Sequence, residues 1–357
     1  MAKDAYVEAG GRQVRVSSPD RVIYEATEHT PEVTKLQVVE FFAAVGDGLM
    51  RALGERPTAM ERWPSGVRDG MRLAVGPRDK DADAFYQKRV PKGAPDYLET
   101  VEVTFPSGRT ADEVCPTEIA VPVWCAQMGT LTFHPWPVRR ADVDHPDELR
   151  IDLDPQPGTT FADAVRVAGV ARELFEELGI RPFVKTSGNR GVHVFVRIEP
   201  RWTFEDLRHA AIGFGRALER RDDGVTTAWW KEERGQRIFV DFNQNNRDRT
   251  IASAYSLRPL SGAPVSTPVT WAELAELRDP RGFNLFSVPE RMADGDPWAQ
   301  IDEVAHSLQP LLDLWEQDTT ELNFPPDYPK MPGEPPRVQP SKKVAEHWDE
   351  AGNRVEP

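Results

Sequence analysis

The sequence predicts a core of the α/β or α+β class, and the order of elements between residues 149 and 242 carries that prediction. A short apolar run at 149–153 is stopped by Pro155, Pro157 and Gly158. A helix-patterned stretch, an alternating strand, a second helix and a second strand ending on an aspartate follow. The order strand–helix–strand–helix–strand leaves antiparallel connections open.

Each element has its own signal. Residues 33–53 space their apolar side chains near 3.6 and predict one helix. Residues 62–95, rich in Arg, Lys, Asp, Gly and Pro, are too polar for core and too long for a simple turn. Strand-type runs fall at 100–105, 119–124 and 129–134. Residues 160–178 put Phe161, Val165, Ala168, Ala171, Leu174, Phe175 and Leu178 on one helical face behind a Thr-rich cap. "VHVFVRI" (192–198) alternates as a strand, 203–220 reads as a helix, and "RIFVDF" (237–242) as a strand. Internal repeats are absent. From 318 to 357, "NFPPDYPKMPGEPPRVQPSKK" and its flanks have a proline density that precludes regular structure. That segment is expected to be an extended or disordered tail, with one helical turn near 343–350.

Composition narrows the function classes. The 357 residues, 39 % apolar, can form one large domain or two ordinary ones. No run approaches the ~18 apolar residues of a membrane span, and "MAKDAYVEAGGRQVRV" lacks a secretory apolar region. Cys115 and Cys125 have no metal-type spacing and read as reduced thiols of a cytoplasmic protein. The net charge of −14 argues against a nucleic-acid partner. A metal-dependent enzyme acting on a polyanion needs only a local basic groove, however. Arg and Lys concentrate at 62–92, 185–197 and 231–258.

The chemistry begins at "RIDLDPQPG" (150–158). Asp152 and Asp154 stand at i and i+2 on a strand, so both project from one face while Leu153 points into the core. Two adjacent carboxylates at a strand's carboxyl end can share divalent cations. The competing reading is a solvated strand edge. Asp241, closing "RIFVD", could complete a triad holding two metal ions about 4 Å apart. "KTSGNRGVHVFV" (185–196) offers backbone N–H groups, the Ser187 hydroxyl and the Arg190 cation to one anion, although ordinary turn chemistry gives the same pattern. Arg234, Arg247 and Arg258 supply enough charge for a triphosphate. His193, on that strand, and His134, in "FHPWP", are otherwise ordinary core or packing histidines.

Taken together, "DLDP", "KTSGNRGVHVFV", "FVDFNQNNRDRTIASAYSLRP" and "VSTPVTW" resemble the polymerase domain of bacterial ligase D, a branch of the archaeo-eukaryotic primase superfamily. The resemblance runs in order from about 14 to 290. Without a nuclease or ligase module, the chain is most similar to the stand-alone actinobacterial primase-polymerases. The resemblance implies an α+β fold: a primase-polymerase core of mixed or antiparallel sheets flanked by helices, with an N-terminal α/β lobe. It divides 1–317 into an N-terminal lobe (1–145) contacting template and 5′-phosphate and a metal and nucleotide lobe (146–317).

It further implies roles for single residues. Asp152, Asp154 and Asp241 hold two Mn2+ or Mg2+ ions. Ser187, Arg190, Arg234 and Arg258 grip the triphosphate of an NTP or dNTP, and His134 and His193 line the nucleotide pocket. Phe85 and Tyr86, before Lys88, stack on the template, and Arg21 and Lys35 hold a downstream 5′-phosphate. The implied activity is template-dependent filling of short DNA gaps, with ribonucleotides favoured. The implied partners are gapped DNA or DNA ends bearing a 5′-phosphate, a separate ATP-dependent DNA ligase and Ku. Arg21 and Arg190 stand where the family has lysine, 62–84 is longer than in ligase D, and Lys35 is set farther from Arg21. The alternatives are a metal-dependent phosphohydrolase or nuclease using the same carboxylates, and a non-catalytic DNA-end-binding repair factor.

Overall fold

A computed structural model describes residues 4–74, 79–105 and 108–320. Most of the expected tail, 321–357, lies outside the described residues. In the first half, β1 (Ala5–Ala9) and β2 (Arg12–Val16) form a hairpin, followed by the short pair β3 (Val22–Tyr24) and β4 (Val33–Thr34). Helices α1 (Lys35–Ala44) and α2 (Gly46–Leu53) precede β5 (Thr58–Arg62), β6 (Phe85–Gln87), β7 (Glu99–Thr104) and β8 (Thr110–Cys115). Then come α3 (Ala120–Gln127) and β9 (Thr130–Pro135). These strands make an antiparallel sheet in the order β6–β5–β8–β7, with β9 also paired to β5.

The second half contributes β10 (Glu148–Pro155), α4 (Phe161–Glu177), β11 (Phe183–Thr186), β12 (Val192–Arg197) and α5 (Phe204–Arg221). It continues with β13 (Val225–Thr226), β14 (Ile238–Val240), β15 (Pro268–Val269), α6 (Trp271–Glu276), α7 (Ser287–Met292) and α8 (Gln309–Gln317). Its sheet has the order β13–β14–β10–β12–β11–β15. Every pair is antiparallel except β13–β14. This is the mixed, largely antiparallel α+β architecture expected.

Local chemistry explains the helices. Thr203 caps α5 reciprocally: its Oγ1 accepts from Asp206 N–H (3.1 Å) and its own N–H donates to Asp206 (2.9 Å). Helix α4 buries Ala164, Ala168 and Ala171 against the sheet, and Phe175 stacks on Phe214 of α5 at 4.0 Å between centroids. Such ring pairs contribute roughly 0.5–1.5 kcal/mol beyond area burial.

Two expectations differ from the structure. The stretch 119–124 is not a strand, because α3 occupies it with Val121, Val123 and Cys125 fully buried. Pro122 sits in the first helical turn, where its missing N–H has no intrahelical role, whereas in an interior strand it would break the ladder. The single helix at 33–53 is a short strand and two helices. The bend at Val45 brings Gly48 under Tyr255, where an added Cβ would lie 2.4 Å from the ring.

The two sheets meet through a returning segment, and this meeting creates the site. Residues 251–301 contribute Ile251, Tyr255, Leu257, Val265 and Trp298 to the apolar core built by α1–α3 and β9. Along β9, Thr132 Oγ1 donates to the Leu257 carbonyl (2.7 Å), and Ser253 N–H donates to the Phe133 carbonyl (2.9 Å). On the other side, Thr186 N–H at the end of β11 donates to the Thr267 carbonyl (2.9 Å). Beneath, buried Arg56 donates twice to Asp147 (2.6 and 2.9 Å), tying the approach to β5 to that of β10.

Candidate active site

Strand register lines up four ionisable residues. Asp241 N–H donates to the Asp152 carbonyl (2.9 Å), extending the β10–β14 pairing by one residue. Asp152 is opposite His193, and His193 is opposite Lys185. Directly opposed residues share a face, so Asp241, Asp152, His193 and Lys185 form a row across β14, β10, β12 and β11. Asp154, two residues along, lies on the same face, and Leu153 is fully buried on the other, as its parity predicts.

The carboxylates strain against one another. Burial, then the charges of Asp241 and Asp154, push the Asp152 carboxyl far above the usual range. Burial also raises Asp241, although the Asn243 N–H (3.1 Å) and the Gln244 amide (2.9 Å) oppose it. Asp154 accepts from the Gln156 amide at 3.0 Å. These neutral donors, with the charges of Lys185 and Arg258 near Asp152 and of Arg234 near Asp241, offset burial and repulsion only in part. Hard oxygen ligands of this kind suit Mg2+ or Mn2+. The fit is one of donor chemistry and position. Among the described residues no three His, Cys, Asp or Glu side chains already converge as a metal cage.

A cavity of about 250 Å3 opens over this row. It brings together Asp152, Asp154, His134, His193, Ser187, Arg190 and Arg258, joining residues from both sheets. The Ser187 turn works differently from the expected nest. Asn189 N–H (3.2 Å) and Gly191 N–H (3.0 Å) both donate to Ser187 Oγ, so neither is offered to an anion. Both acceptor positions of the hydroxyl are thereby used, which leaves its proton to donate. Arg190 is exposed at the rim, while Arg258 Nε is buried without a hydrogen-bond partner among the described residues.

His134, on β9, contacts Glu61 through Nε2 at 3.0 Å, and Glu61 also accepts from the Trp63 indole. Burial raises the Glu61 carboxyl, but His134 and Trp63 outweigh it and hold it below its ordinary value. Burial lowers His134 despite Glu61. The consistent state is an ionised Glu61 accepting from neutral His134. An acceptor-only carboxylate fixes Nε2 as the donor and leaves Nδ1 as an acceptor. Tyr86 stands edge-on to His134 at 5.1 Å.

Other expected residues fall nearer the edge. Arg234 lies over Phe239 (3.4 Å to the centroid) and donates to the Ala228 and Trp229 carbonyls. Gln156 links it (3.5 Å) to Asp154. Phe85 and Tyr86 are successive residues of β6 and face opposite sides; Phe85 carries Arg62 at 5.2 Å, so the two rings do not form one platform. Lys88 sits over Phe105 at 4.7 Å. Arg247 belongs to packing, since it donates to the Thr104 carbonyl and pairs with Asp144 at 2.7 Å. The backbones of Arg21 and Lys35 meet, with the Lys35 main-chain N–H donating to the Arg21 carbonyl at 2.7 Å. Lys35 Nζ donates to the Ser17 carbonyl (2.8 Å) and Gln127 (3.3 Å), and the Arg21 guanidinium to the Pro64 carbonyl (2.9 Å). Burial and the Arg21 charge lower the Lys35 amine to about 8.

Sequence reasoning missed Lys185, Glu61, Gln156 and Thr250, Ile251 and Ala252, which also line the cavity. Lys185 and Gln156 lay inside quoted motifs, and the pairing of a buried lysine with strand register was the available signal. Glu61 gave none, because its contact with His134 spans 73 residues.

The chain matches the LigD primase-polymerase domain over residues 34–298. It belongs to that family. The family is one of metal-dependent nucleotidyltransferases, and this member is a nucleotidyltransferase. It is 31 % identical over 291 residues to the multifunctional non-homologous end joining protein LigD of Pseudomonas aeruginosa, covering 80 % of this chain and 32 % of that one. The LigD protein of Mycolicibacterium smegmatis is 28 % identical over 341 residues, covering 92 % and 42 %. The chain therefore spans well under half the length of these relatives. Among solved structures, the polymerase domain of Mycobacterium tuberculosis ligase D in complex with DNA superposes with a TM-score of 0.70 at 28 % identity, covering 81 % of this chain and 98 % of that one. Among the described residues no helix is long and apolar enough to cross a membrane.

Proposed function

We propose that this protein adds nucleotides to a 3′-hydroxyl on a DNA template, filling short gaps during repair. The observation that carries the reading is the single cavity lined by Asp152, Asp154, Ser187, Arg190 and Arg258. It sets cation-holding carboxylates against groups that bind phosphate. Asp152, Asp154 and Asp241 hold the divalent ions, whose chemistry when bound is to activate the 3′-hydroxyl and to neutralise charge at phosphorus. Arg258, its Nε unspent, and Arg190 at the rim grip the triphosphate, and Ser187 donates its hydroxyl proton to the same anion. Arg234, anchored on Phe239, adds positive charge beside Asp154 and Asp241. His134 offers Nδ1 as an acceptor to a sugar hydroxyl, a contact that favours ribonucleotides.

Around this centre, Arg21 and Lys35 form a cationic pair for a downstream 5′-phosphate, and Tyr86 supports a template base. Lys88 adds charge along the template path. A gapped or broken duplex is the substrate, and a separate ATP-dependent ligase with Ku completes the repair. The division into a template lobe (1–145) and a nucleotide lobe (146–317) belongs to the same reading.

The test is extension of a primer–template with a one-nucleotide gap, with and without a 5′-phosphate, comparing NTP with dNTP under Mg2+ or Mn2+. Wild-type protein is expected to add nucleotide, more readily with the 5′-phosphate and with NTP. The variant carrying Asp152→Ala and Asp154→Ala is expected to bind the DNA and add nothing. Full extension by that variant overturns the mechanism, and loss of labelled DNA in place of gain identifies a nuclease.

A further inference from the structure

Lys185 is fully buried on β11, the strand beside the β15 edge, in the cross-strand row that carries the carboxylates. Its Nζ lies 2.9 Å from His193 Nδ1 and 2.5 Å from Ser266 Oγ. The Ser266 hydroxyl gives its one proton to the Thr186 carbonyl at 3.0 Å, so toward Lys185 it can only accept. The amine is thereby pinned as a donor on one side, and Phe195 closes the space beneath it (5.6 Å to the ring centroid). On the far side of the imidazole, His193 Nε2 faces Asp152 Oδ1 at 3.4 Å.

We propose that Lys185 is a positioning residue that donates to His193 Nδ1 and so holds His193 as the Nε2–H tautomer. His193 then presents a hydrogen-bond donor, not a base, to the Asp152 carboxylate and to the phosphate oxygens of a nucleotide in the cavity. The inference rests on the nucleotidyl-transfer reading, in which Asp152 is ionised when it holds a cation. With Asp152 ionised, the opposite tautomer would set the Nε2 lone pair against a carboxylate oxygen, two acceptors in contact. Donation from Lys185 removes that conflict, and the strand pairing of Lys185, His193 and Asp152 keeps the three in line. The arrangement mirrors Glu61 on His134: each cavity histidine has one ring nitrogen committed to a buried partner. The two commitments are opposite, making His193 a donor and His134 an acceptor toward the ligand.

The experiment is nitrogen-15 NMR of the His193 imidazole in the full chain with Mg2+ and without nucleotide, for wild type and Lys185→Met. Wild type is expected to show an unprotonated Nδ1 and a protonated Nε2, and Lys185→Met a mixture of tautomers. In extension assays the variant's nucleotide KM should rise about tenfold, the worth of one hydrogen bond to a charged group, with kcat changing by less than about threefold. A wild-type His193 protonated at Nδ1 overturns the inference, and so does a variant with unchanged tautomer and KM. If Lys185→Met fails to fold, the wild-type tautomer alone decides. Failure of the broader reading is separate: it appears as no response of the wild-type spectrum to Mg2+ and no extension, whatever the tautomer.

Discussion

The side chain of Arg258 crosses Gly188 so closely that a Cβ added there would stand 2.6 Å from Arg258 Cγ and 3.0 Å from the Ser266 backbone nitrogen. Gly188 also has φ +73°, a conformation that costs L-residues roughly 1–2 kcal/mol. The turn after β11 thus sets where a cavity arginine lies. Gly188→Ala is expected to lower thermal stability clearly, because the new Cβ overlaps Arg258 and crowds backbone, and to weaken nucleotide binding more than DNA binding. Thermal unfolding and separate nucleotide and DNA titrations check this. Equal loss of both affinities would mean that the turn does not position Arg258.

The carboxylate row predicts a trade of stability for function. Asp152 and Asp241 have raised folded-state values, through burial first. The stability they contribute is therefore present in acid, below the unfolded aspartate value, and is lost as pH rises through the raised folded values. At neutral pH with chelator, Asp152→Asn should unfold at a higher temperature than wild type, by roughly 2 °C or more. Mg2+ should stabilise the wild type and not the variant. A variant less stable than wild type under chelator contradicts the electrostatic account.

The Arg21–Lys35 pair predicts a pH dependence of unusual sign. Burial and Arg21 lower the Lys35 amine to about 8, so it is protonated below that pH and neutral above it. A terminal phosphate is already a dianion there, so its own titration cannot weaken binding. Preference for 5′-phosphorylated gaps should fade as pH rises past this value, and a bound phosphate moves the midpoint upward. Lys35→Arg should flatten the dependence. The measurement is the affinity ratio of phosphorylated to unphosphorylated gapped DNA across pH, and a flat wild-type ratio counts against the pair.

Because Phe85 and Tyr86 face opposite sides of β6, they should not be equivalent. Tyr86, packed on His134, is the ring on the cavity side. Tyr86→Ala should cost template binding ~1–3 kcal/mol, the value of one stacked base, and Phe85→Ala clearly less. Fluorescence titration with single-stranded template overhangs distinguishes them.

Overall DNA binding should fall steeply with salt, since a chain with a net charge of −14 can approach phosphates only through a local basic groove. Affinity unchanged between low and high salt would remove the groove from the account.

Much of this site was legible before folding was considered. The parity of Asp152, Leu153 and Asp154 follows from the period of a strand, and the Pro and Gly residues after them place the pair at a strand end. Helices α4 and α5 announce themselves by caps and apolar spacing. Where the reading failed, long-range packing had overruled local preference. Val121 and Val123 favour a strand in isolation, yet full burial against α1 and a proline in the first turn make a helix of them. Arg247 looked as available as Arg258, and only packing against Trp136 and pairing with Asp144 separates the two.

By itself the sequence determined the residue types, the strand ends that carry the aspartates, and the family, because these depend on local periodicity and the order of motifs. Tertiary structure decided which groups meet and in what state. It set Asp241 beside Asp152, placed Lys185 behind His193 and Glu61 behind His134, and committed two N–H groups of the Ser187 turn to the serine itself. Those outcomes depend on strand register and on hydrogen-bond saturation between distant segments, and neither is encoded in any short stretch of chain.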